Sequence, residues 1–520
     1  MDLWQILEYA ACCHSERIAA VDNGRSISYD QLLAKASRTA GVLEDLGIGR
    51  GDRISAVLDN CLDYLLLYFA AANLGAILNP INVRLHTSEL TYILDDLEPR
   101  CLVADTGYGD LVINSLPERN TVEHIIWRGE GVKAPRKIAI HKFDEILTDG
   151  RTARSPSQVQ SNHIAHVYYT SGTTGRPKGA MLSHANVYVH ALAAAYEFGL
   201  SNVDCWGHFA PMFHLADAWS CFAITFSGGK HVFLRRFQPE AALSLIQEMG
   251  VTVTNLIPSM LNAIVHSPDG NEIDLSSMRL ILSGGAPISP GLVRATIRRF
   301  GCEYVQTYGL TETSPYVTIS RPTSKVKSLP VEDQLKYVSK TGRPFLPISL
   351  KVVNADGQPV ANDGEEVGEI WAKGPTVFSG YWRQPEETEA KFCEGWFRTG
   401  DLASLDEYGY LNIVDRLDDM IITGGENVYS IEVENVLSAY NGVYEACVVG
   451  IPDDEWGEKV VAAILCKPEH TVSAEELVAH CKMYLAGYKI PKDIRFVDGV
   501  PRTGSGKVVK WKLRQLFDIQ

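Results

Sequence analysis

Through most of the first 400 residues the hydrophobic pattern switches repeatedly between helical and strand-like spacing. Tyr29 to Leu46 places its apolar residues at helical intervals, and Arg53 to Leu58 follows as a strand-like run. Further short apolar strands are predicted at Gly75 to Leu78, Cys101 to Ala104, Ile164 to Tyr169, Lys230 to Leu234 and Arg279 to Leu282. Leu292 to Phe300 reads as a helix and Glu303 to Gln306 as the strand after it. Alternation of this kind predicts α/β layering. The longest apolar run, Leu65 to Leu78, is broken by Asn73 and is shorter than the roughly 18 residues a membrane span needs, so its first part is expected to be a buried helix. Arg321 to Lys340, with charges and few apolar residues in phase, predicts a long surface connection. No repeat of fixed period and no low-complexity segment is visible.

The pattern changes near Asp415-Arg416-Leu417-Asp418-Asp419. A helix-like Ile431 to Ala439, strands Glu445 to Gly450 and Lys459 to Lys467, a helix Ala474 to Leu485 and a strand Asp493 to Val497 follow. This is α+β character over a stretch of small-domain size, which places a boundary at Val414/Asp415: a large domain 1–414 and a small one 415–520.

With 520 residues and 46% hydrophobic content the chain can bury substantial cores. A net charge of -15 argues against nucleic acid or an anionic membrane surface as a partner. The start Met1-Asp-Leu-Trp-Gln lacks a cationic segment followed by an apolar one, so no secretion is expected. Eleven scattered cysteines with no Cys-x-x-Cys pair predict reduced, mostly buried thiols in a cytoplasmic protein.

Chemistry concentrates in a few short segments. Thr170-Ser-Gly-Thr-Thr-Gly-Arg-Pro-Lys-Gly179 follows a predicted strand and combines hydroxyls (Thr170, Ser171, Thr173, Thr174), permissive glycines (Gly172, Gly175) and a cation, Lys178. Such a loop can turn backbone amides toward phosphate. It differs from a Walker A loop, whose Gly-Lys-Ser/Thr would begin about five residues after the first glycine, where this chain has Pro177, Lys178 and Gly179. Tyr308-Gly309-Leu-Thr311-Glu312 offers an aromatic face, a glycine for close approach, a hydroxyl and a hard carboxylate ligand of the kind magnesium takes. Gly284-Gly285-Ala286-Pro287, directly after a strand, could let a flat ring lie on bare backbone, and Asp401 after Thr399-Gly400 could accept two ribose hydroxyls. Lys507 ends the glycine-bearing run Pro501-Arg-Thr-Gly-Ser-Gly-Lys507. Taken singly, each of these is an ordinary turn or surface charge.

In this order, across nearly the whole chain, the motifs resemble those of the adenylate-forming superfamily, which contains acyl-CoA synthetases, firefly luciferase-like enzymes and nonribosomal peptide adenylation domains. Thr170 to Gly179 resembles its phosphate loop, Tyr308 to Glu312 its adenine and magnesium motif, and Thr399-Gly-Asp401 its ribose motif. Asp415 to Asp418 and Gly424 to Asn427 resemble the hinge and the thioester-forming segment, and Lys507 falls on the adenylation lysine. The resemblance implies a large multi-sheet α/β domain with a small mobile α+β domain. It also implies two steps: a carboxylate attacks the α-phosphate of ATP with Mg2+ present, giving acyl-AMP, and a thiol, coenzyme A, then displaces AMP. Lys507 would bridge the two anions of the first step, Glu312 would hold the metal, Arg416 would touch the ribose, Asp418 would be the hinge, and Gly425 would line the thiol passage.

Pro211-Met-Phe-His214 selects among branches. Amino-acid-activating members place an aspartate where His214 falls, whereas acyl- and aryl-CoA ligases often carry histidine. Trp219 resembles the gate tryptophan of some fatty acyl-CoA synthetases. The expected substrate is a medium or long fatty acid or another apolar acid. An aryl-CoA ligase and an acyl-AMP ligase loading a carrier protein are the alternatives, and a homodimer is left open. A non-enzymatic nucleotide-binding regulator is disfavoured because Lys507, Glu312 and Asp401 are all present.

Overall fold

The computed structural model describes residues 2–118, 121–130, 138–149, 152, 159–170, 176–267, 273–286, 288–453, 456–468, 470–502 and 508–517. The chain forms two compact units, one of Met1–Leu350 and Ala372–Phe397, the other of Lys351–Trp371 and Arg398–Gln520. This division by packing differs from a single cut at Val414/Asp415. Strands Trp396–Leu405 and Leu411–Arg416 pair with each other, so Asp401 lies opposite Arg416 and the chain before residue 414 shares a ladder with the chain after it.

The larger unit carries two sheets. In one, the strands run in the order Arg343–Pro344, Tyr316–Ile319, Glu303–Gly309, Leu280–Ser283, Val253–Asn255, Cys205–His208, Lys230–Phe233, Ile18–Asp22 and Arg25–Ser28. Its six middle strands, Glu303–Gly309 through Ile18–Asp22, are parallel, with antiparallel pairs at both ends. The second sheet orders Ala139–Lys142, His124–Arg128, Cys101–Asp105, Arg53–Val57, Ile77–Pro80, Ile164–Thr170 and Lys178–Ser183, parallel except for the last pair. Helices Leu62–Leu74 and Leu215–Phe226 are apolar around almost their whole circumference because both are buried on every side. Phe222 of one meets the edges of Tyr68 and Phe69 of the other. No described helix is long and apolar enough to cross a membrane.

Two pattern-based expectations shift. The predicted strand at Gly75 begins later, at Ile77, because Gly75 caps the preceding helix in the left-handed region (φ 67°). The expected connection Arg321 to Lys340 contains helices Ser324–Lys327 and Val331–Val338, the first started by the Thr323 hydroxyl accepting from the Val326 amide at 3.4 Å.

The smaller unit contains the hairpin Ile421–Thr423 and Glu426–Val428, the long pair Val443–Asp453 and Gly457–Cys466, and Asp493–Phe496 parallel to the latter. Side chains of the long pair alternate with period two. Val448, Val460, Ala462 and Ile464 face helices Ser430–Ser438 and Ala474–Tyr484, while Val449, Val461 and Ala463 face Leu513 and Phe517 of helix Lys510–Phe517. The described cysteines are all free thiols.

Among the described residues five histidines are buried in the larger unit: His166, His184, His190, His208 and His231. The first three bear on the pH dependence of stability. His184 accepts the Leu3 amide through Nδ1 (3.2 Å) and His190 accepts the Tyr316 amide through Nε2 (3.4 Å), roles that require an unprotonated nitrogen. Burial pushes His166 and His190 down to about 3 and His184 down to about 4. In the unfolded chain they titrate near 6.5, so below that pH the unfolded state binds more protons than the folded one. Their contribution is complete above the unfolded value and is lost as pH falls, at about 1.4 kcal/mol per pH unit for each histidine. Scanning calorimetry is therefore expected to show a melting temperature that drops steadily from pH 7 to pH 5, and less steeply in His190→Phe. A profile unchanged by that substitution would mean that His190 is not held neutral.

Candidate active site

The hairpin Ile164–Thr170 and Lys178–Ser183 closes on the register pair Thr170 and Lys178, whose backbone oxygen the Thr170 hydroxyl reaches at 3.4 Å. Ser171, Gly172, Thr173, Thr174 and Gly175 lie outside the described residues. Lys178 is buried, and its Nζ stands 2.6 Å from Glu387 Oε2 and 5.7 Å from the centre of the Tyr381 ring. Beyond it the segment 378–382 covers the free edge of the sheet. Trp382 donates to the Gly179 carbonyl (2.7 Å), Met181 to Gly380 (2.9 Å) and Ser379 to Met181 (2.9 Å). This close approach explains Gly179, where a Cβ would lie 2.8 Å from Val167 Cγ1 and 3.2 Å from Trp382 Cβ.

The same segment reaches Glu312. Strands Glu303–Gly309 and Tyr316–Ile319 form an antiparallel pair with a register shift at Tyr308/Gly309. Gly309 is obligatory there, since a Cβ would sit 1.9 Å from the Pro315 carbonyl oxygen. Half-buried Tyr308 and Thr311 flank it, and the short helical turn Thr311–Thr313 presents Glu312. The Glu312 backbone carbonyl accepts the Phe378 amide (2.8 Å), and its Oε1 accepts the Tyr381 hydroxyl (2.8 Å). Burial, with the Glu312 and Glu387 charges, pushes the Tyr381 phenol well above its usual range, so it stays protonated and donates. One Glu312 oxygen is thus held by a neutral donor while the other is not committed to Tyr381. Among the described residues no group of three or more His, Cys, Asp or Glu could hold a metal ion. A single carboxylate fits magnesium, which keeps most of its shell as water and substrate phosphate.

Other predicted residues gather at the carboxyl ends of neighbouring parallel strands, where open α/β sheets bind ligands. Gly284, at the end of Leu280–Ser283, lies against Thr307, whose hydroxyl and carbonyl oxygens would be 2.5 and 2.6 Å from any Cβ. Gly285 (φ 83°) and Ala286 are exposed, and the Ala286 carbonyl accepts from Gln306 Nε2 at 3.2 Å. Pro287 lies outside the described residues. After strand Cys205–His208 comes the loop that carries His214. Its shape is set by Asn60, whose amide donates to the carbonyls of His208 (3.0 Å) and Ala210 (2.9 Å) and whose Oδ1 accepts the Met212 amide (2.7 Å). The Tyr68 hydroxyl donates to the Met212 carbonyl (2.8 Å). Half-buried His214 precedes helix Leu215–Phe226; its ring lies 4.7 Å from that of Phe213, and its carbonyl accepts the amides of Asp217 and Ala218. Asp217 anchors this helix start through Trp206 Nε1 (3.2 Å) and through a buried chain to His208 (2.5 Å), His231 (2.9 Å) and Thr225 (3.1 Å).

Trp219 is buried in the core beside this loop. Its indole donates to the Ala216 carbonyl (2.9 Å), and rings of Trp206, Tyr316, His190 and Phe198 surround it with centroids 5.1 to 5.9 Å away.

In the smaller unit, buried Asp401 faces Arg416, with Oδ1 3.2 Å from Nε. Glu369 holds the turn before it by accepting from the Gly400 amide (3.1 Å) and Arg398 Nε (3.0 Å). Asp418 is exposed, whereas its neighbours are tied down: Asp415 accepts from the Ser430 amide and hydroxyl (2.5 and 3.1 Å), and Lys510 Nζ lies within 4.0 Å of Asp419 and 3.7 Å of Glu434. Burial raises the Asp415 carboxyl against the pull of Lys510. Gly424 and Gly425, both at positive φ (59° and 84°), form the tip between Ile421–Thr423 and Glu426–Val428. A Cβ at Gly424 would meet Trp456 at 2.9 Å, while at Gly425 it would meet nothing within 4 Å. Lys507 lies outside the described residues; the flanking Arg502 and Val508 form a β-bridge.

Sequence reasoning missed Asn60, Glu369, Tyr381 and Glu387. The available signals were weak: Pro385 at a helix start just before Glu387, and Gly380 before Tyr381. Gly380 adopts φ 127°, where a Cβ would come 2.7 Å from Thr388 Cγ2.

Comparison with known proteins gives the family. The AMP-binding enzyme family model matches residues 7–382, and the model of the AMP-binding enzyme C-terminal domain matches 432–507. The chain belongs to the AMP-binding enzyme family. It is 35% identical to a feruloyl-CoA synthase from Amycolatopsis sp over 95% of its own length and 94% of that protein. A long-chain-fatty-acid–CoA ligase from Thermus thermophilus is 36% identical over 99% and 96%. The anthranilate CoA ligase AuaEII, solved in complex with anthranoyl-AMP, superimposes with a TM-score of 0.88 at 27% identity, covering 100% of this chain and 98% of that one.

Asn60→Ala removes two donors and one acceptor from the His214 loop; the His208 carbonyl keeps the Leu234 amide (3.2 Å), whereas the Ala210 carbonyl and the Met212 amide lose this partner at about 1–3 kcal/mol each before relaxation. A lower melting temperature is expected, with a larger rise in KM for the acid than for ATP. Equal changes in both constants would separate Asn60 from the acid site.

Proposed function

We propose that the protein is an ATP-dependent, AMP-forming acid–thiol ligase. A carboxylate oxygen attacks the α-phosphorus of ATP as the bond to pyrophosphate breaks. The sulfur of coenzyme A then attacks the acyl carbon, and AMP leaves. The reading is supported most by the line Lys178, Tyr381, Glu312, which puts an anion-binding cation and a hard carboxylate on one phenol in a chain of this family.

The first step brings two anions together, so positioned positive charge and hydrogen-bond donors must supply most of the rate. Thr170 to Gly175 and Lys178 hold the leaving pyrophosphate, Tyr308 with Gly285 to Pro287 holds the adenine, and Asp401 with Arg416 holds the ribose. Lys507 spans the incoming carboxylate and the phosphate. Glu312 would hold Mg2+, which when bound neutralises developing phosphate charge. For the second step Lys507 withdraws as the chain turns at Asp418, and Gly425, which lacks a side chain, lets the pantetheine thiol pass. His214 and Trp219 bound the acyl site. Nothing in this chemistry requires a carrier protein or a second copy of the chain, and free thiols fit work in the cytoplasm.

The acid has an apolar body and no α-amino group. Within that class a compact or aromatic acid is favoured over a long chain, because Trp219 is tied to Ala216 and ringed by aromatic groups. A panel of benzoate, hydroxycinnamate, octanoate and palmitate with ATP and CoA, reading AMP and thioester together, tests this. Thioester with AMP is expected, best for the shorter acids, and Trp219→Ala should shift preference toward octanoate and palmitate. Absence of turnover with every acid removes the ligase reading, whereas palmitate as the best wild-type substrate removes only the compact-acid reading.

Lys507→Ala is expected to reduce acyl-AMP formation by about two to three orders of magnitude, the scale of losing one well-placed electrostatic group, while thioester formation from supplied acyl-AMP stays near wild type. Equal loss in both half-reactions would take Lys507 out of the first step.

A further inference from the structure

Lys178 already has an anion. Its ammonium is 2.6 Å from Glu387 Oε2, and this side chain is largely buried whereas that of Glu387 is about half exposed (10% and 46%). A phosphate that takes Lys178 must either displace this carboxylate or sit beside it. Displacement costs little for a carboxylate already half in water, because water screens its pull on the cation and can hydrate it once released. Sitting beside it sets two anions on one cation, which weakens the hold on both.

Glu387 is not placed at random. It belongs to the first turn of helix Pro385–Ala390, which is fixed against the edge segment by Thr388. Thr388 Oγ1 accepts the Tyr381 amide at 2.8 Å and donates to the Gln384 carbonyl at 2.8 Å. The element that presents the Tyr381 ring to Lys178 and its hydroxyl to Glu312 therefore also presents Glu387. The pair holds the Glu387 carboxyl below its ordinary range, so it is charged at any pH at which the enzyme would work.

We propose that Glu387 is a resident competitor for the phosphate-binding lysine, exchanged for the triphosphate when ATP binds, and that Tyr381 is the positioning residue that keeps Lys178 and Glu312 aligned during the exchange. This rests on the reading of Lys178 as a phosphate ligand. The exchange holds a buried cation neutralised before ATP arrives and makes ATP affinity lower than the charges alone would give.

The test is direct ATP binding by calorimetry, without acid or CoA, on the full chain. Glu387→Gln keeps the shape and removes the charge, and is expected to lower the Kd for ATP by about three- to tenfold, as expected for release of one half-exposed ion pair, with the gain shrinking at high salt. In a Lys178→Ala background the same substitution should change nothing. Tyr381→Phe keeps the ring over Lys178 but removes the hydroxyl, so metal-free ATP binding should stay near wild type while the Mg2+ concentration needed for tight binding rises severalfold. If Lys178→Ala binds ATP like wild type, the phosphate-site reading fails and the competitor goes with it. If Lys178→Ala is weak but Glu387→Gln, with an unchanged melting temperature, has an equal or higher Kd, the competitor alone is overturned; Glu387→Ala repeats the comparison should Glu387→Gln fold poorly. An unaltered Mg2+ dependence in Tyr381→Phe would overturn the role given to Tyr381.

Discussion

One phenol ring stands between opposite charges: the Lys178 ammonium on its face and the Glu312 carboxylate at its hydroxyl. The backbone around it serves to put it there. Tyr381 is carried by backbone that pairs with strand Lys178–Ser183 on the edge left free by the hairpin and that also donates to the Glu312 carbonyl. Three segments far apart in sequence are thus cross-tied by main-chain hydrogen bonds, which are insensitive to side-chain identity, and the charged groups inherit that rigidity. A site assembled this way resists reorganisation during the reaction, which is where preorganised electrostatics draw their advantage.

What could be read from the sequence follows from how local each signal is. Tyr308 to Glu312 stood out because it is a short turn between two strands, and turns announce themselves by glycine and hydroxyl content; the run after Thr170 stood out by that content alone. Both lie where the chain leaves a parallel ladder for an antiparallel one. Helices such as Tyr29–Asp45 were legible from their period; the structure adds the Ser28 capping box that fixes the start. Tyr381, Glu387 and Asn60 were not legible, because each acts across 69 to 209 residues of chain through contacts that leave no periodic trace. The domain boundary was likewise read from a local signal. A change of composition near Asp415 is real, but strand pairing across it, Asp401 with Arg416, makes the two sides one packing unit.

The region of His214 and Trp219 is built on a different principle. The His214 loop is held by one asparagine and one tyrosine, and the helix after it by an aspartate at the end of a buried hydrogen-bonded row. Buried polar networks of this type specify one arrangement when every member is satisfied. Trp219 extends the same logic to apolar contact, with one indole hydrogen bond and edge contacts to neighbouring rings fixing its plane. The position of this indole is set by packing.

The backbone passes from one unit to the other between residues 350 and 351, 371 and 372, and 397 and 398. Modular exchange among relatives is constrained by this threading. A recombination joint at 397/398 would import Arg398–Gln520 from a donor while leaving Lys351–Trp371 native, so Glu369 from one parent would have to grip Gly400 and Arg398 from the other. Grafting the smaller unit whole takes two inserted pieces rather than one.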